Sequence, residues 1–309
     1  MNIVFMGTPQ FSVPILEMLS KKHHVLAVIT QPDKKVGRKK EIVYSPVKTK
    51  AISLNLPVFQ PIQLKTDYQF ILELNPDLIV TAAYGQMLPK ELLNQVTAIN
   101  VHGSILPTYR GGAPIQYALF DGLSETGVTI MYMAFKMDSG DIIKQDKIHI
   151  DEDDDYQSLS QKLSILGVKL LEEVLDDLTH GYIIRIPQDE KQVTFAKTLT
   201  YQDEMISFEW SSDKIINRIR GLSPEIGASA TINGVVLKIY KAKKSDIMTL
   251  HQAPGTILQS KKKLIIKTID GSIEVLEIQA PGKKKMSVSD FLNGQNIIKD
   301  GDVFIEGMN

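Results

Sequence analysis

The sequence predicts an α/β domain built on a doubly wound, mainly parallel sheet, followed by a small all-β barrel domain. Three observations predict it. Over roughly the first 180 residues, short apolar runs alternate with helical patterns, as buried strands separated by helices do. After about residue 205 the pattern changes to short alternating segments, with the hairpin dipeptides Asn233-Gly234 and Asp270-Gly271 between them. The length of 309 residues also suffices for two domains at roughly 100–200 residues each. We place the domains at 1–202 and 203–309.

The elements follow in order. Residues 3–6 form a first strand that ends at Gly7, 14–19 have helical character, and 24–30 form a second strand. A long connection, 31–50, comes next. Residues 78–83 and 98–101 are short strands ending in the turn-prone Tyr84-Gly85 and His102-Gly103. Ala113-Pro114 opens a helix of about two turns, with Pro in the first turn. Residues 128–133 and 142–150 are strands on either side of a tight turn, 137–141. Residues 156–180 form a long helix, because Leu159, Leu163, Leu166, Leu170, Leu171 and Val174 recur at helical spacing and Gly181 stops it. The acidic run 151–155 places favourable charge at that helix's amino end. A helix at 213–222 leads into strands at 229–232, 235–242, 255–259, 263–268 and 272–279.

Composition narrows the function. The 35 Lys+Arg against 36 Asp+Glu argue against a globally basic nucleic-acid binder. The charge is placed unevenly, however. The 31–50 connection holds seven basic and two acidic residues, and residues 203–309 hold 15 and 13. Cysteine is absent, which excludes disulfides, thiolate metal sites and a cysteine nucleophile. No apolar run approaches the ~20 residues of a membrane span. The amino terminus enters an apolar strand without a basic segment and cleavage site, so a cytoplasmic location is expected. No histidine pair has metal-ligand spacing, and no Gly-rich dinucleotide or P-loop fingerprint occurs, so neither a metal nor a dinucleotide is expected.

The stretch from Asn100 to Pro114 carries the chemistry. In such sheets ligands bind beyond the carboxyl ends of the strands. Asn100 and His102 stand two apart at a strand end, hence on one face. An amide donor beside an imidazole suits oxyanion stabilisation and proton transfer at one carbonyl centre; a satisfied Asn and His at a strand end is the bland alternative. In the turn 137–141 a carboxylate can reach an adjacent strand end and orient His102. Spacing does not choose between Asp138 and Asp141. The basic connection 31–50 would stand at the rim of this site, where it is placed to bind phosphates of a large substrate.

Several motifs together resemble the methionyl-tRNA formyltransferase family. They are the opening Val4-Phe5-Met6-Gly7-Thr8-Pro9-Gln10-Phe11, then Gln31-Pro32-Asp33 with Ser45-Pro46-Val47-Lys48, and Ala83-Tyr84-Gly85-Gln86-Met87-Leu88-Pro89. The stretch 100–116, Thr126-Gly127-Val128-Thr129 and Met137-Asp138-Ser139-Gly140-Asp141 follow. Pro281-Gly282-Lys283-Lys284-Lys285-Met286 and Asp290-Phe291-Leu292-Asn293-Gly294 close the series. The resemblance runs in collinear order over nearly the whole chain.

The resemblance implies a Rossmann-like catalytic domain of formyltransferase type and a carboxyl-terminal barrel of the oligonucleotide-binding type. It implies Asn100, His102 and Asp138 as catalytic residues. It implies Ser104, Ile105, Leu106 and Pro107, with Tyr84, Gly85, Gln86, Met87 and Leu88, as the lining for 10-formyltetrahydrofolate. It implies that the 33–50 insertion, with Lys34, Lys35, Arg38, Lys39 and Lys40, reaches the initiator Met-tRNA. The implied reaction moves a formyl group from the folate to the α-amine of the esterified methionine. Alternatives are the same chemistry on an amino sugar or ribonucleotide amine, a hydrolase releasing formate, and a non-catalytic RNA binder. One departure is 223–228, where Ser-Pro-Glu-Ile-Gly-Ala stands in place of a Pro-Trp-Pro-Gly-type turn.

Overall fold

The computed structural model describes residues 1–37, 40–247, 251–294 and 297–305. The chain forms two compact units. The first comprises Met1–Pro114, Glu125–His149 and Ser160–Lys197, and the second Ile115–Ser124, Ile150–Leu159 and Thr198–Asn309.

The first unit is built on strands β1 (Asn2–Gly7), β2 (His24–Ile29), β3 (Lys34–Val36), β4 (Glu41–Val43), β5 (Val58–Phe59), β6 (Leu78–Ala82), β7 (Ala98–His102), β8 (Glu125–Tyr132) and β9 (Ile142–His149). Seven of them form one sheet in the order β5-β2-β1-β6-β7-β8-β9. The first five are parallel, β8 runs antiparallel to β7, and β9 antiparallel to β8. From β1 the chain winds outward through β2 to β5. It then returns to the other side of β1 at β6, so the order reverses between β1 and β6. That reversal is the crevice where open α/β sheets hold ligands. The central strands are apolar along their whole length because both faces are covered: residues 3–7 of β1 and all of β6 are buried.

Helix α1 (Val13–Lys22) packs beside β2, and α6 (Tyr156–Thr179) buries Leu163, Leu166, Leu170, Leu171 and Val174. Between them in sequence lie α2 (Pro46–Ser53), α3 (Gln69–Glu73), α4 (Lys90–Leu93) and α5 (Pro114–Phe120). A Cβ on Gly167 of α6 would lie 2.9 Å from Val101 Cγ1. This glycine therefore lets the helix backbone approach β7 closely on the Val101 face. By strand alternation, Asn100 and His102 project from the opposite face.

The 31–50 connection is not the loop expected from its charge and turn residues. It folds into a β3–β4 hairpin, and α2 begins at Pro46 with Ser45 as its amino cap, the hydroxyl accepting from Lys48 N at 3.0 Å. The expectation fails because three-residue strands are too short to show a period.

The second unit carries α7 (Tyr201–Glu204), α8 (Ser212–Leu222), β10 (Ala228–Ile232), β11 (Val235–Lys244), β12 (Ile257–Gln259), β13 (Leu264–Lys267), β14 (Ser272–Gln279), β15 (Met286–Ser287) and α9 (Val288–Asn293). Its antiparallel sheet runs β10-β11-β14-β13-β12, with β15 on β14. One segment bonds to both ends of that path: Ile305 N donates to Thr231 O of β10 at 2.8 Å, and Asp302 O accepts from Ile257 N of β12 at 2.8 Å. The curled sheet therefore closes as a barrel, which removes exposed edges. The interior holds Ile232, Leu237, Ile239, Leu264, Ile266, Ile273, Val275 and Ile278.

At the departure 223–228, Ser223 Oγ donates to Tyr240 O at 2.6 Å, and Gly227, at φ +75°, packs on the Tyr240 ring. The acidic run acts as a cap: Asp155 Oδ1 accepts from Ser158 N at 2.9 Å, and Arg220 donates to the Asp154 and Asp151 carbonyls. Lys238, Lys244, Lys263 and Lys285 of the barrel pair with Glu204, Asp213, Glu274 and Glu277. Surface pairs of this kind contribute only about 0–1 kcal/mol each, so the apolar interior holds the barrel together.

Candidate active site

Asn100 and His102 stand on the outer end of β7, next to Thr81 of β6, which pairs in register with Asn100. The Thr81 hydroxyl lies 2.7 Å from Asn100 Oδ1 and donates to it. The amide oxygen is thus committed, and the Asn100 NH2 group is left as the donor the site presents. Thr81 is not among the residues that the sequence singles out. Its signal lies only in the register between two strands distant in sequence.

His102 is 5% exposed. Its Nε2 lies 3.0 Å from the Tyr109 carbonyl oxygen. A carbonyl only accepts, so Nε2 carries the hydrogen and Nδ1 is the nitrogen that can take up a proton. The nearest carboxylate to Nδ1 is Asp138 Oδ2, at 3.8 Å. The same Oδ2 accepts from Gly111 N at 2.7 Å. Of the two carboxylates that spacing leaves open, Asp138 faces His102, whereas Asp141 pairs with Arg185 at 3.6 Å.

The route by which Asp138 arrives is not readable from the sequence. Met133 N donates to Ala98 O, so the β8–β9 connection leaves the sheet level with the start of β7. It then doubles back over the face to bring Asp138 to His102 at the strand's other end. Tyr109 and Asp138 both have left-handed backbones, with φ +59° and +47°. Non-glycine residues hold that conformation only where surrounding contacts over-determine it. Gly111, at φ +125°, lies so close to Ala196 O that a Cβ would collide with it.

The Ser104, Ile105, Leu106 and Pro107 stretch is a tightly bonded turn. Ser104 is buried, with its hydroxyl donating to Thr108 O at 2.6 Å. Leu106 is buried against Met131 and Ile142, and its backbone N donates to Thr129 Oγ1 at 3.1 Å. Ile105 and Pro107 are half-buried. In the second predicted stretch, Tyr84 and Leu88 point into the core of the first unit, while Gly85 and Met87 are exposed. Gln86 is half-buried, its Oε1 accepting from Leu64 N at 2.8 Å. Burial pushes the Tyr84 hydroxyl pKa up to about 12. Two residues of the turn have left-handed backbones, Ala83 at φ +46° and Gly85 at φ +90°. Thr8, following β1, ties this turn to the neighbouring strand by donating to Tyr84 O at 3.0 Å.

Of the basic candidates, Lys34, Lys35 and Lys40 are exposed on the hairpin; Arg38 and Lys39 lie outside the described residues. Two further cations of the connection are used internally. Lys48 Nζ donates to Asp33 at 2.6 Å and to Gln60 at 2.7 Å, and Lys50 pairs with Glu17 at 2.5 Å. The hydrogen bond from Lys48, followed by that from Gln60, holds the Asp33 carboxyl below its ordinary pKa. Among the described residues no group of three or more His, Asp or Glu side chains is placed to hold a metal ion, and no helix is long and apolar enough to cross a membrane.

Comparison with known proteins identifies the family. Residues 1–175 match the formyl transferase family, and residues 198–296 match the formyl transferase carboxyl-terminal domain. The chain is 48% identical over 299 residues to a methionyl-tRNA formyltransferase of Latilactobacillus sakei, covering 95% of this chain and 94% of that one. It is 46% identical over 304 residues to the Staphylococcus aureus enzyme of the same name, covering 96% and 97%. A Helicobacter canadensis N-formyltransferase, solved with folinic acid and dTDP-3-aminofucose, shares the fold at 19% identity and a TM-score of 0.66, covering 90% of this chain and 98% of its own. The chain belongs to the methionyl-tRNA formyltransferase family and is a formyl-transferring enzyme.

Proposed function

We propose that this family member moves the formyl group of 10-formyltetrahydrofolate to the α-amine of methionine esterified to initiator tRNA, in the cytoplasm. The observation that carries the reading is the convergence of Asn100, His102 and Asp138 on one sheet face beside the carboxyl ends of β6 and β7. When bound, the folate supplies a formyl group already activated on nitrogen. The Asn100 amide donates to the formyl oxygen as the amine attacks and charge builds there, and His102 adds to that stabilisation once Nδ1 has taken up a proton. His102 Nδ1 takes the proton that the attacking amine loses and delivers it to the departing folate nitrogen. Asp138 stabilises the imidazolium in between and keeps the ring turned toward the reacting atoms.

Residues 83–88 and 104–107 line the folate in this reading. Lys34, Lys35, Arg38, Lys39 and Lys40 meet the tRNA acceptor end. We assign catalysis to residues 1–202 and tRNA binding to 203–309, with no metal in the reaction. Mass spectrometry of Met-tRNA after incubation with enzyme and 10-formyltetrahydrofolate tests this. A gain of one formyl group on the amino acid is expected. Release of free formate alone, with the amine unmodified, would overturn the reading.

A further inference from the structure

Asp138 lies in a left-handed turn with no regular secondary structure to hold it, yet its carboxylate must stay fixed relative to His102. Two sets of hydrogen bonds clamp it. The first is the bond from Gly111 N to its carboxylate. The second runs through Gln188, which lies on the segment after α6. Gln188 Nε2 lies 2.8 Å from Asp138 O and 2.7 Å from Gly140 O, donating to both. Its Oε1 accepts from Arg110 Nε at 3.0 Å and from Arg110 Nη2 at 2.8 Å.

Arg110 is fully buried and sits between Tyr109, whose carbonyl holds His102, and Gly111, whose N–H holds Asp138. Its own backbone is pinned by Thr194 and Ala196, with Arg110 N donating to Thr194 O at 2.9 Å and Ala196 N to Arg110 O at 2.8 Å. Its guanidinium also donates to Glu190 Oε1 at 2.8 Å, and Lys136 Nζ donates to the other oxygen of that carboxylate at 3.1 Å.

We propose that Gln188 is a positioning residue of the reaction, one that fixes the distance between His102 and Asp138 by bridging the Asp138 turn to Arg110. The inference rests on the reading of His102 and Asp138 as the catalytic pair. The side-chain amide fits this place for a chemical reason. One end must accept two hydrogens from a guanidinium, and the other must donate two hydrogens to carbonyls. Only an amide side chain has an acceptor and two donors of the same reach. A carboxylate would serve Arg110 and repel the two carbonyls.

That asymmetry supplies the experiment. Gln188→Glu keeps an acceptor for Arg110 while removing both donors to the turn. The expected result is a fall in kcat of about 10- to 100-fold, the scale of a reacting group displaced by about 1 Å. KM for tRNA and folate should stay within about twofold. In an Asp138→Ala background the same substitution should cost nothing further, because the carboxylate it positions is gone. Gln188→Met removes the donors without adding charge and should reproduce the kcat loss and the non-additivity if the Glu variant does not fold.

A wild-type kcat in these variants would overturn the positioning role, as would a loss that multiplies with that of Asp138→Ala. The underlying reading fails separately: it falls if Asp138→Ala alone turns over at the wild-type rate, whatever Gln188 does.

Discussion

The corner around His102 and the hairpin at 34–43 are both polar and both belong to the first unit, yet they differ in exposure. At the corner, side chains bond to backbone: His102 to Tyr109 O, Asp138 to Gly111 N, and Ser104 to Thr108 O. Every group there is buried or half-buried. The hairpin itself is held by the β3–β4 backbone pairing, and beside it Lys48 bonds to Asp33 and Gln60, and Gln60 to Asp33 in turn at 2.8 Å. The outlying lysines reach into solvent. Backbone partners fix a position to a fraction of an ångström, as proton transfer demands. Exposed charges fix little but attract phosphate from a distance, as binding a long polyanion demands.

Substitution at the corner should show the largest effect. Asn100→Ala should lower kcat about 100- to 1000-fold, the usual loss of an oxyanion donor, and His102→Ala at least as much. Folate binding, measured separately by titration, should persist. Wild-type-like turnover in both variants would erase the distinction between the two regions. Thr81→Val sharpens the same contrast one step out. It removes the hydroxyl on Asn100 Oδ1, a bond worth about 0.5–1.5 kcal/mol, so a loss of up to about tenfold is expected. That loss should vanish in the Asn100→Ala background.

On the hairpin the effect should fall on binding. Changing Lys34, Lys35 and Lys40 to Gln should raise KM for tRNA severalfold. It should also flatten the salt dependence by about 0.7–0.9 in log–log slope for each phosphate that is no longer neutralised. An unchanged slope would show that these lysines do not touch the nucleic acid.

The smallest effect is expected at Tyr84, whose side chain is buried in the core of the first unit. Burial raises its pKa from 10.0 to about 12, so the folded chain holds this proton more tightly than the unfolded one. Its contribution to stability is intact below about pH 10 and is lost as the pH rises toward about 12. Tyr84→Phe should therefore leave thermal stability at neutral pH nearly unchanged and make its alkaline decline shallower.

Much of this architecture is legible in the sequence, for identifiable reasons. The buried parallel strands are continuous apolar runs, the barrel strands alternate, and Asn-Gly and Asp-Gly mark hairpins, so both domains appear in local pattern. Asn100 and His102 are readable as a pair because two-residue spacing sets a common face on any strand. Thr81, the Tyr109 carbonyl and the Gly111 N–H are not readable. Their roles depend on strand register and on turns that meet across dozens of residues, which leave no periodic trace. The β3–β4 hairpin reads as a loop because its strands are three residues each.

Taken alone, the sequence determined which chemistry was possible. The absence of cysteine ruled out thiol chemistry, and local spacing put Asn100 and His102 on one face. Tertiary structure decided which carboxylate lies near His102. Asp138 and Asp141 are equivalent in a five-residue turn. Only the path of the β8–β9 connection back over the sheet, secured by Gly111 N, brings Asp138 to His102 and leaves Asp141 to Arg185. The physical reason is that a strand's period sets direction locally, whereas the meeting of two segments depends on hydrogen bonds that form only once the sheet is assembled.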